Sequence, residues 1–430
     1  MRPTFFQQFL RTEAAGGIVL LVAALAALAA LAVANSPLAS TYDAFWATRL
    51  VVGPESHPLA LSARAWVNDG LMAAFFLLVG LEIKRELLVG ELSSARQAAL
   101  PFAAALGGVV APALVYVSLA GPDALRGWAV PMATDIAFAL GVLALAAPRV
   151  PVGLKVFLAA LAIVDDMCAV VVIALFYTAQ VEWTALALAG GIVMALVVLN
   201  LARVQRVMPY LLLGAVLWFF VHESGVHATI AGVVLAFTIP TRTRINAAQF
   251  SADARAHLDD FDRKETGDLL VLTSKGQQEA LHALESASQG VIAPLLRLEH
   301  ALHRASAFVV MPVFAFANAG VALSFGTLDM ATTTAVGLGL LIGKPLGITA
   351  ASWIACRTGV ASLPAGVTWM MLHGCAWIAG IGFTMSLFIA GLAFGESPAF
   401  DAAQIGILAG STVAGIVGAL VLRRAQAQRV

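Results

Sequence analysis

Asp165 and Asp166 are adjacent carboxylates in an otherwise apolar run, residues 156–177, that is long enough to cross a bilayer. A charge at bilayer depth costs roughly 3 kcal/mol on insertion scales. Two side by side also repel each other. Helix packing has no use for such a pair, whereas a path for cations or protons requires one. Asp135 and Lys344 lie deep in other apolar stretches. Unpaired, these four groups would cost on the order of 10 kcal/mol together, so they must face one polar interior. Three carboxylates against one ammonium leave excess negative charge, as a cation site needs. A hard cation such as sodium prefers oxygen ligands. On a helix the two neighbours point about 100° apart, so they can take different roles. Protons and cations then compete for a pair that titrates as a unit.

The surroundings of Asp135 suggest how such a site is held. Pro131 precedes it in the stretch Pro131-Met132-Ala133-Thr134-Asp135. Proline removes a helix hydrogen bond, and Thr134 and Asp135 can bond freed backbone amides. A helix broken at mid-membrane exposes a positive N-terminal end and a negative C-terminal end. An aspartate can neutralise the first and a lysine the second. Gly380-Ile381-Gly382 is the candidate matching break. Two interrupted helices in corresponding halves are the pattern of an inverted-repeat transporter.

Other polar groups admit plainer readings. Lys344, between Gly343 and Pro345, could snorkel from a helix end. Asp69, after Asn68, reads as a structural group bonding helix ends. His227 and His373 read as satisfied interior histidines. Glu82, Arg85 and Glu86 stand at i, i+3 and i+4 near a helix end, the spacing of weak, solvated salt bridges. Cys168, Cys356 and Cys375 lack metal-ligand spacing and read as small apolar residues.

Membrane helices must position these groups. The 430 residues are 60% apolar and 12% charged, with mean hydropathy +0.90, about half the charge of a soluble domain. Net charge is zero, so nothing points to nucleic acid. Twelve candidate spans fall at about 14–34, 64–88, 98–119, 128–147, 154–178, 184–201, 208–220, 226–240, 302–322, 333–355, 366–392 and 402–422. Ala32-Val33-Ala34 resembles a signal-peptidase site, but the run before it is too long for a signal peptide and reads as the first span. With both termini on one side, that side collects 21 of the 25 Lys and Arg, and the other side takes three. The positive-inside rule therefore places both termini in the cytoplasm. The loop 241–298 is the one long polar stretch. It is expected to be cytoplasmic and partly flexible, with a short helix near 277–286 and too few apolar residues for a core of its own. A second loop, 36–63, falls on the outer side. The fold class expected is an all-α polytopic membrane protein forming a single domain over residues 1–430.

Several stretches carry a family resemblance. They are residues 75–87 (FFLLVGLEIKREL), 133–141 (ATDIAFALG), 162–166 (AIVDD), 174–178 (ALFYT), 225–232 (GVHATIAG), 314–321 (FAFANAGV), 343–348 (GKPLGI) and 380–389 (GIGFTMSLFI). In order and over nearly the whole chain, these resemble the NhaA-type sodium/proton antiporters. That family is itself an example of the inverted-repeat pattern, so the two readings are not independent. The resemblance implies twelve helices, with the fourth and eleventh unwound and crossing at mid-membrane. It makes Asp166 the principal ligand for sodium or lithium and Asp165 its neighbour, in a salt bridge with Lys344 that breaks and reforms with protonation. Asp135 and Thr134 would lie at the crossing.

The implied activity is electrogenic. Sodium or lithium leaves a bacterial cell across its inner membrane while more than one proton enters, with no cofactor. Glu82, Arg85, Glu86, Glu299 and His300 would match a cytoplasmic cluster linked to activation at alkaline pH, and His227 would serve the same response. Residues 36–64 would help form a homodimer. Two departures stand out. Met167-Cys168 follows the aspartates where the family often has Leu-Gly, and the 241–298 loop is longer than in shorter members.

Two rivals use the same carboxylates. A passive cation channel could line its pore with them. An intramembrane aspartyl protease could pair Asp135 with Asp166, but no Gly-x-Gly-Asp motif precedes Asp165 and Lys344 would have no role.

Overall fold

The computed structural model describes residues 22–52, 59–178, 180–263, 274–321 and 329–427. Residues 14–21 of the first expected span therefore lie outside the described residues, as do 53–58 and 264–273 of the two loops. Among the described residues, six single helices are long and apolar enough to cross a membrane: Ala95–Leu119, Val152–Phe176, Trp183–Leu201, Pro294–Asn318, Met330–Arg357 and Pro398–Ala427. Three bent pairs raise the number to nine: Val22–Ala34 with Ala39–Ala47, Pro122–Met132 with Ile136–Ala146, and Trp369–Ala379 with Phe383–Phe394. The three other expected spans are helical too. Met72–Val89 carries four charged residues toward its end, Val207–Glu223 has 17 residues, and Ile230–Thr238 has nine. Their charge and shortness explain why length and composition alone pass over them.

The packing is that of a membrane protein, with small residues where helices cross and large apolar ones facing outward. Ala95–Leu119 crosses Lys344–Arg357 at Gly107 and Gly347, where a methyl group on either glycine would overlap the other's backbone. A methyl at Gly343 would run into the backbone of Pro112. With no water to expel between helices, such close approach is how membrane helices gain packing energy. Leu106, Val110, Leu114 and Val117, at helical spacing, are exposed on the other side of Ala95–Leu119, as a lipid-facing stripe must be.

Two elements go beyond expectation. The stretch 36–63 holds a helix, Ala39–Ala47, and an antiparallel hairpin pairing Arg49–Val52 with Leu59–Ser62. The 241–298 segment holds two helices where one short helix was expected. Ala247–Arg263 packs against Lys275–Val291, which Ser274 caps by accepting from the Gln277 amide at 3.3 Å. Phe250, Ala254, Leu258 and Phe261 set a narrow stripe along the first helix. Dense charge around that stripe hid it.

Candidate functional site

The break after Met132 leaves Ala133, Thr134 and Asp135 extended before the helix resumes at Ile136. The second break, at Gly380-Ile381-Gly382, interrupts Trp369–Ala379 and Phe383–Phe394 differently, with Gly380 and Gly382 in the helical region of backbone space and the helix hydrogen-bond run lost between them. The pairs bend by 51° and 46°. The two interruptions meet: the Asp135 amide donates to the Ile381 carbonyl at 2.7 Å.

Each polar side chain at the crossing serves a helix end. Asp135 caps two of them. One carboxylate oxygen accepts from the Phe138 amide at 3.1 Å, and the other accepts from the Thr384 amide at 3.2 Å and from the Thr384 hydroxyl. One negative charge thus faces the positive ends of both resumed half-helices. Lys344 Nζ donates to the carbonyl of Met132, the last residue of the first half-helix, and to Asp165. Thr134 Oγ1 lies 2.6 Å from Asp165 Oδ2 and 2.8 Å from the Ala379 carbonyl, at the end of the other first half. Its single proton can serve only one of these acceptors at a time. Thr134, Asp135 and Lys344 show 0% exposure, and Asp165 and Asp166 no more than 2%, so this network is sealed from the outer surface.

Asp165 and Asp166 stand midway along Val152–Phe176 and differ as their angular separation requires. Asp165 turns one oxygen to Lys344 and Thr134. Its other oxygen, and Oδ2 of Asp166, are buried without a hydrogen-bond partner among the described residues. The charges of Asp165, Glu82, Asp135 and Lys344 all act on Asp166. Buried carboxylate oxygens without donors, in a field with more negative than positive groups, are an oxygen-ligand arrangement suited to a hard cation or a proton. Asp135 has committed both oxygens to capping, so it does not form a protease-type dyad with Asp166.

Lys344 reaches this site from a helix that departs from α geometry. Gly339–Gly343 forms a wide π turn, and Pro345, which has no N–H to donate, follows it. Ser306–Val310 is a second π turn followed by a proline, Pro312. π turns widen a helix locally and recur at functional sites.

At the Lys/Arg-rich end, Arg85 pairs with Glu86 at 3.2 Å and with Glu299 at 3.1 Å. Lys84 donates to the carbonyls of Phe237 and Ile239 at 2.8 and 2.5 Å, closing the end of Ile230–Thr238. His300 is exposed and does not join the cluster. His303, one turn beyond Glu299 on the same face, lies 3.8 Å from Glu82 instead. Helical spacing from Glu299 points to position 303, which motif resemblance passes over. His227 is half-buried, with Nδ1 3.1 Å from Thr229 Oγ1 and its ring edge-on to Phe388 at 5.6 Å. Asp69 sits in a third π turn, Trp66–Leu71, and lines a cavity of about 180 Å³ with Asn68, Asn318, Phe314 and Phe388.

Thr384 and Ser386 also belong to the crossing, and neither stood out in the sequence. Ser386 Oγ donates to the Val130 carbonyl at 2.8 Å, tying the second broken helix to the first. The capping logic that marks Thr134 beside one break would have marked Thr384, two residues past Gly382.

A family model described as Na+/H+ antiporter 1 matches residues 7–422. The chain belongs to this antiporter family. Curated relatives agree along their length. The Na(+)/H(+) antiporter NhaA of Oleidesulfovibrio alaskensis is 48% identical over 97% of this chain and 93% of its own. That of Mesorhizobium japonicum is 49% identical over 99% and 96%, and that of Bordetella parapertussis 48% over 98% and 96%. Members of the family are secondary transporters, not enzymes. Within this antiporter fold, the crossing of the two interrupted helices is the one place where buried carboxylates, a buried ammonium and four helix ends converge among the described residues.

Proposed function

We propose that the chain is an electrogenic antiporter that moves sodium or lithium out of a bacterial cell in exchange for protons across the inner membrane. The observation that carries this reading is the partnerless buried oxygen of Asp166 beside Asp165, at the crossing of two interrupted helices. Deprotonated, Asp166 and Asp165 supply the oxygen ligands for one sodium. Facing the other side, protons displace it. Lys344 holds Asp165 while the cation is absent and releases it when sodium takes that oxygen. Asp135 and Thr134 keep the half-helix ends neutralised throughout. More than one carboxylate takes a proton per sodium, so net charge crosses the membrane.

The Lys/Arg distribution supports a cytoplasmic position for both termini. The cluster of Glu82, Arg85, Glu86 and Glu299 then faces the cytoplasm; this cluster and His300, together with His227 at the opposite end of Ile230–Thr238, set activation at alkaline pH. The hairpin at residues 49–62 carries exposed Leu50, Val51 and Val52 on an open edge strand, and an uncovered edge favours pairing with another chain. That supports a homodimer with this hairpin at its interface.

The test is made in everted vesicles holding an acid-interior gradient, with lumenal pH read by a dye. Sodium and lithium should dissipate the gradient and potassium should not, while Asp166→Asn should be silent though folded. A folded, inserted protein that moves no protons with any cation would overturn the reading. Flux uncoupled from the proton gradient would point instead to a passive channel.

A further inference from the structure

The cavity on the face opposite the Lys/Arg-rich end has a feature that the antiport site does not use. Its one ionisable wall residue is Asp69, whose carboxylate is 22% exposed. The Nδ1 of His222, from Val207–Glu223, lies 4.0 Å from Asp69 Oδ2. Aromatic rings hold the histidine there. It stacks on Trp218 (centroids 5.8 Å apart, 17° between planes), and Trp218 stacks on Trp66 at 5.7 Å. Trp66 opens the π turn that carries Asp69, and the Trp218 indole donates to the Asp69 carbonyl at 3.1 Å. None of these three rings can turn away without breaking the stack or that hydrogen bond. An aromatic face also favours a cationic partner over a neutral one.

Among the described residues, His222 is the one titratable side chain within ion-pair distance of Asp69. Asn68 and Asn318, which hydrogen-bond each other across the cavity at 2.7 Å, are neutral. On the helix of His222 the neighbouring titratable group is Glu223, which is exposed. His227, just beyond it in the chain, turns instead to Thr229 and the Phe388 ring. From the opposite side, Leu387 and Phe388 line the cavity, on the half-helix whose first turn Asp135 caps. The cavity therefore borders the half-helix that begins at the crossing.

We propose that His222 controls cation entry at the outer mouth by competing with sodium for Asp69. Histidine changes its charge between about pH 5 and 8. Neutral, His222 leaves the Asp69 carboxylate free to attract a cation into the cavity. Protonated, it occupies that carboxylate as an ion pair. Acid outside then weakens capture of external sodium, and the effect adds to proton competition at Asp166. His222 does not touch the cation at its transport site, so it sets the affinity of the outer mouth and not the turnover.

This inference rests on the antiport reading and on the cytoplasmic placement of the termini. Its test uses right-side-out vesicles carrying the full chain, with internal pH fixed, and measures uptake of radioactive sodium against internal protons as external sodium and external pH vary. Between about pH 8 and 6 outside, the KM of the wild type should rise more steeply than that of His222→Leu. The ratio should reach about two- to fivefold, the range of a partly exposed ion pair, with the maximal rate little changed. Asp69→Asn should raise KM at about pH 8 and leave a further His222→Leu change without effect, because histidine then has nothing to occupy. His222→Gln, polar but uncharged, should behave like His222→Leu, which separates charge from packing. Equal KM curves for wild type and both His222 variants would overturn the proposal. So would a His222 effect that persists with Asp69→Asn. A wild type that exchanges no sodium for protons would remove the antiport reading and this inference together.

Discussion

At the scale of single residues, the site depends on balancing charges that the membrane would otherwise exclude. Lys344 and Asp165 are buried against each other, and a buried pair broken on one side leaves an uncompensated charge. Lys344→Ala should therefore lower stability by about 3–5 kcal/mol. The double change Lys344→Met with Asp165→Asn should recover most of it, although the Met132 carbonyl still loses its donor. Thermal unfolding of purified protein in detergent measures both, and a double variant no more stable than the single one would show that the ion pair is not the cause. Asp166 is the contrasting case. Its Oδ2 has no partner to lose among the described residues, so Asp166→Asn should cost binding and leave the fold intact.

At the scale of elements, glycine placement decides how closely the helices carrying the site can approach. A methyl at Gly347 would overlap the backbone of Gly107 and the side chain of Ala111. Gly347→Ala should push Lys344–Arg357 away from Ala95–Leu119 and cost about 1–3 kcal/mol. Gly190, inside Trp183–Leu201, has nothing within 4 Å of an added Cβ. There Gly190→Ala should be neutral or stabilising by up to about 1 kcal/mol, since alanine is the better helix former. Unfolding midpoints of the two variants side by side check this, and equal losses would mean that the crossing is not tight. Because Lys344 begins the Lys344–Arg357 segment, Gly347→Ala should also displace the ammonium from Asp165 and weaken transport.

At the scale of the whole molecule, protons and sodium share one buried site. As pH falls, the aspartates take protons and sodium loses its ligands. Apparent sodium affinity should weaken with falling pH by up to about tenfold per unit for each proton displaced. Calorimetric titration with sodium at several pH values reads this directly, and an affinity independent of pH would contradict a shared site. The insertion at the Lys/Arg-rich end is separable from it. The amides of Arg244 and Ile245 both donate to the Gly290 carbonyl, at 2.9 and 3.2 Å, so the insertion leaves and returns at nearly one point. Excising residues 247–289 and joining the ends by a short flexible linker should leave membrane insertion and sodium-dependent proton movement intact. Loss of correctly inserted protein would show that the two helices stabilise the rest.

What the sequence determined by itself follows from the cost of charge in hydrocarbon. Asp135, Asp165, Asp166 and Lys344 stand out in the bare chain, because the bilayer tolerates such groups only where they face one another. The spans, the two breaks and the excess of Lys and Arg on one side are equally local signals, written in apolar runs, proline, glycine and charge. Partner choice was not local. That Asp135 caps the helix of Thr384, that Lys344 reaches Met132, and that His303 and not His300 meets Glu82 depend on residues up to 249 positions apart. The polar side chains of the crossing leave no periodic pattern in the sequence. Their roles are set by how two bent helices cross, and packing of the whole bundle decides that crossing.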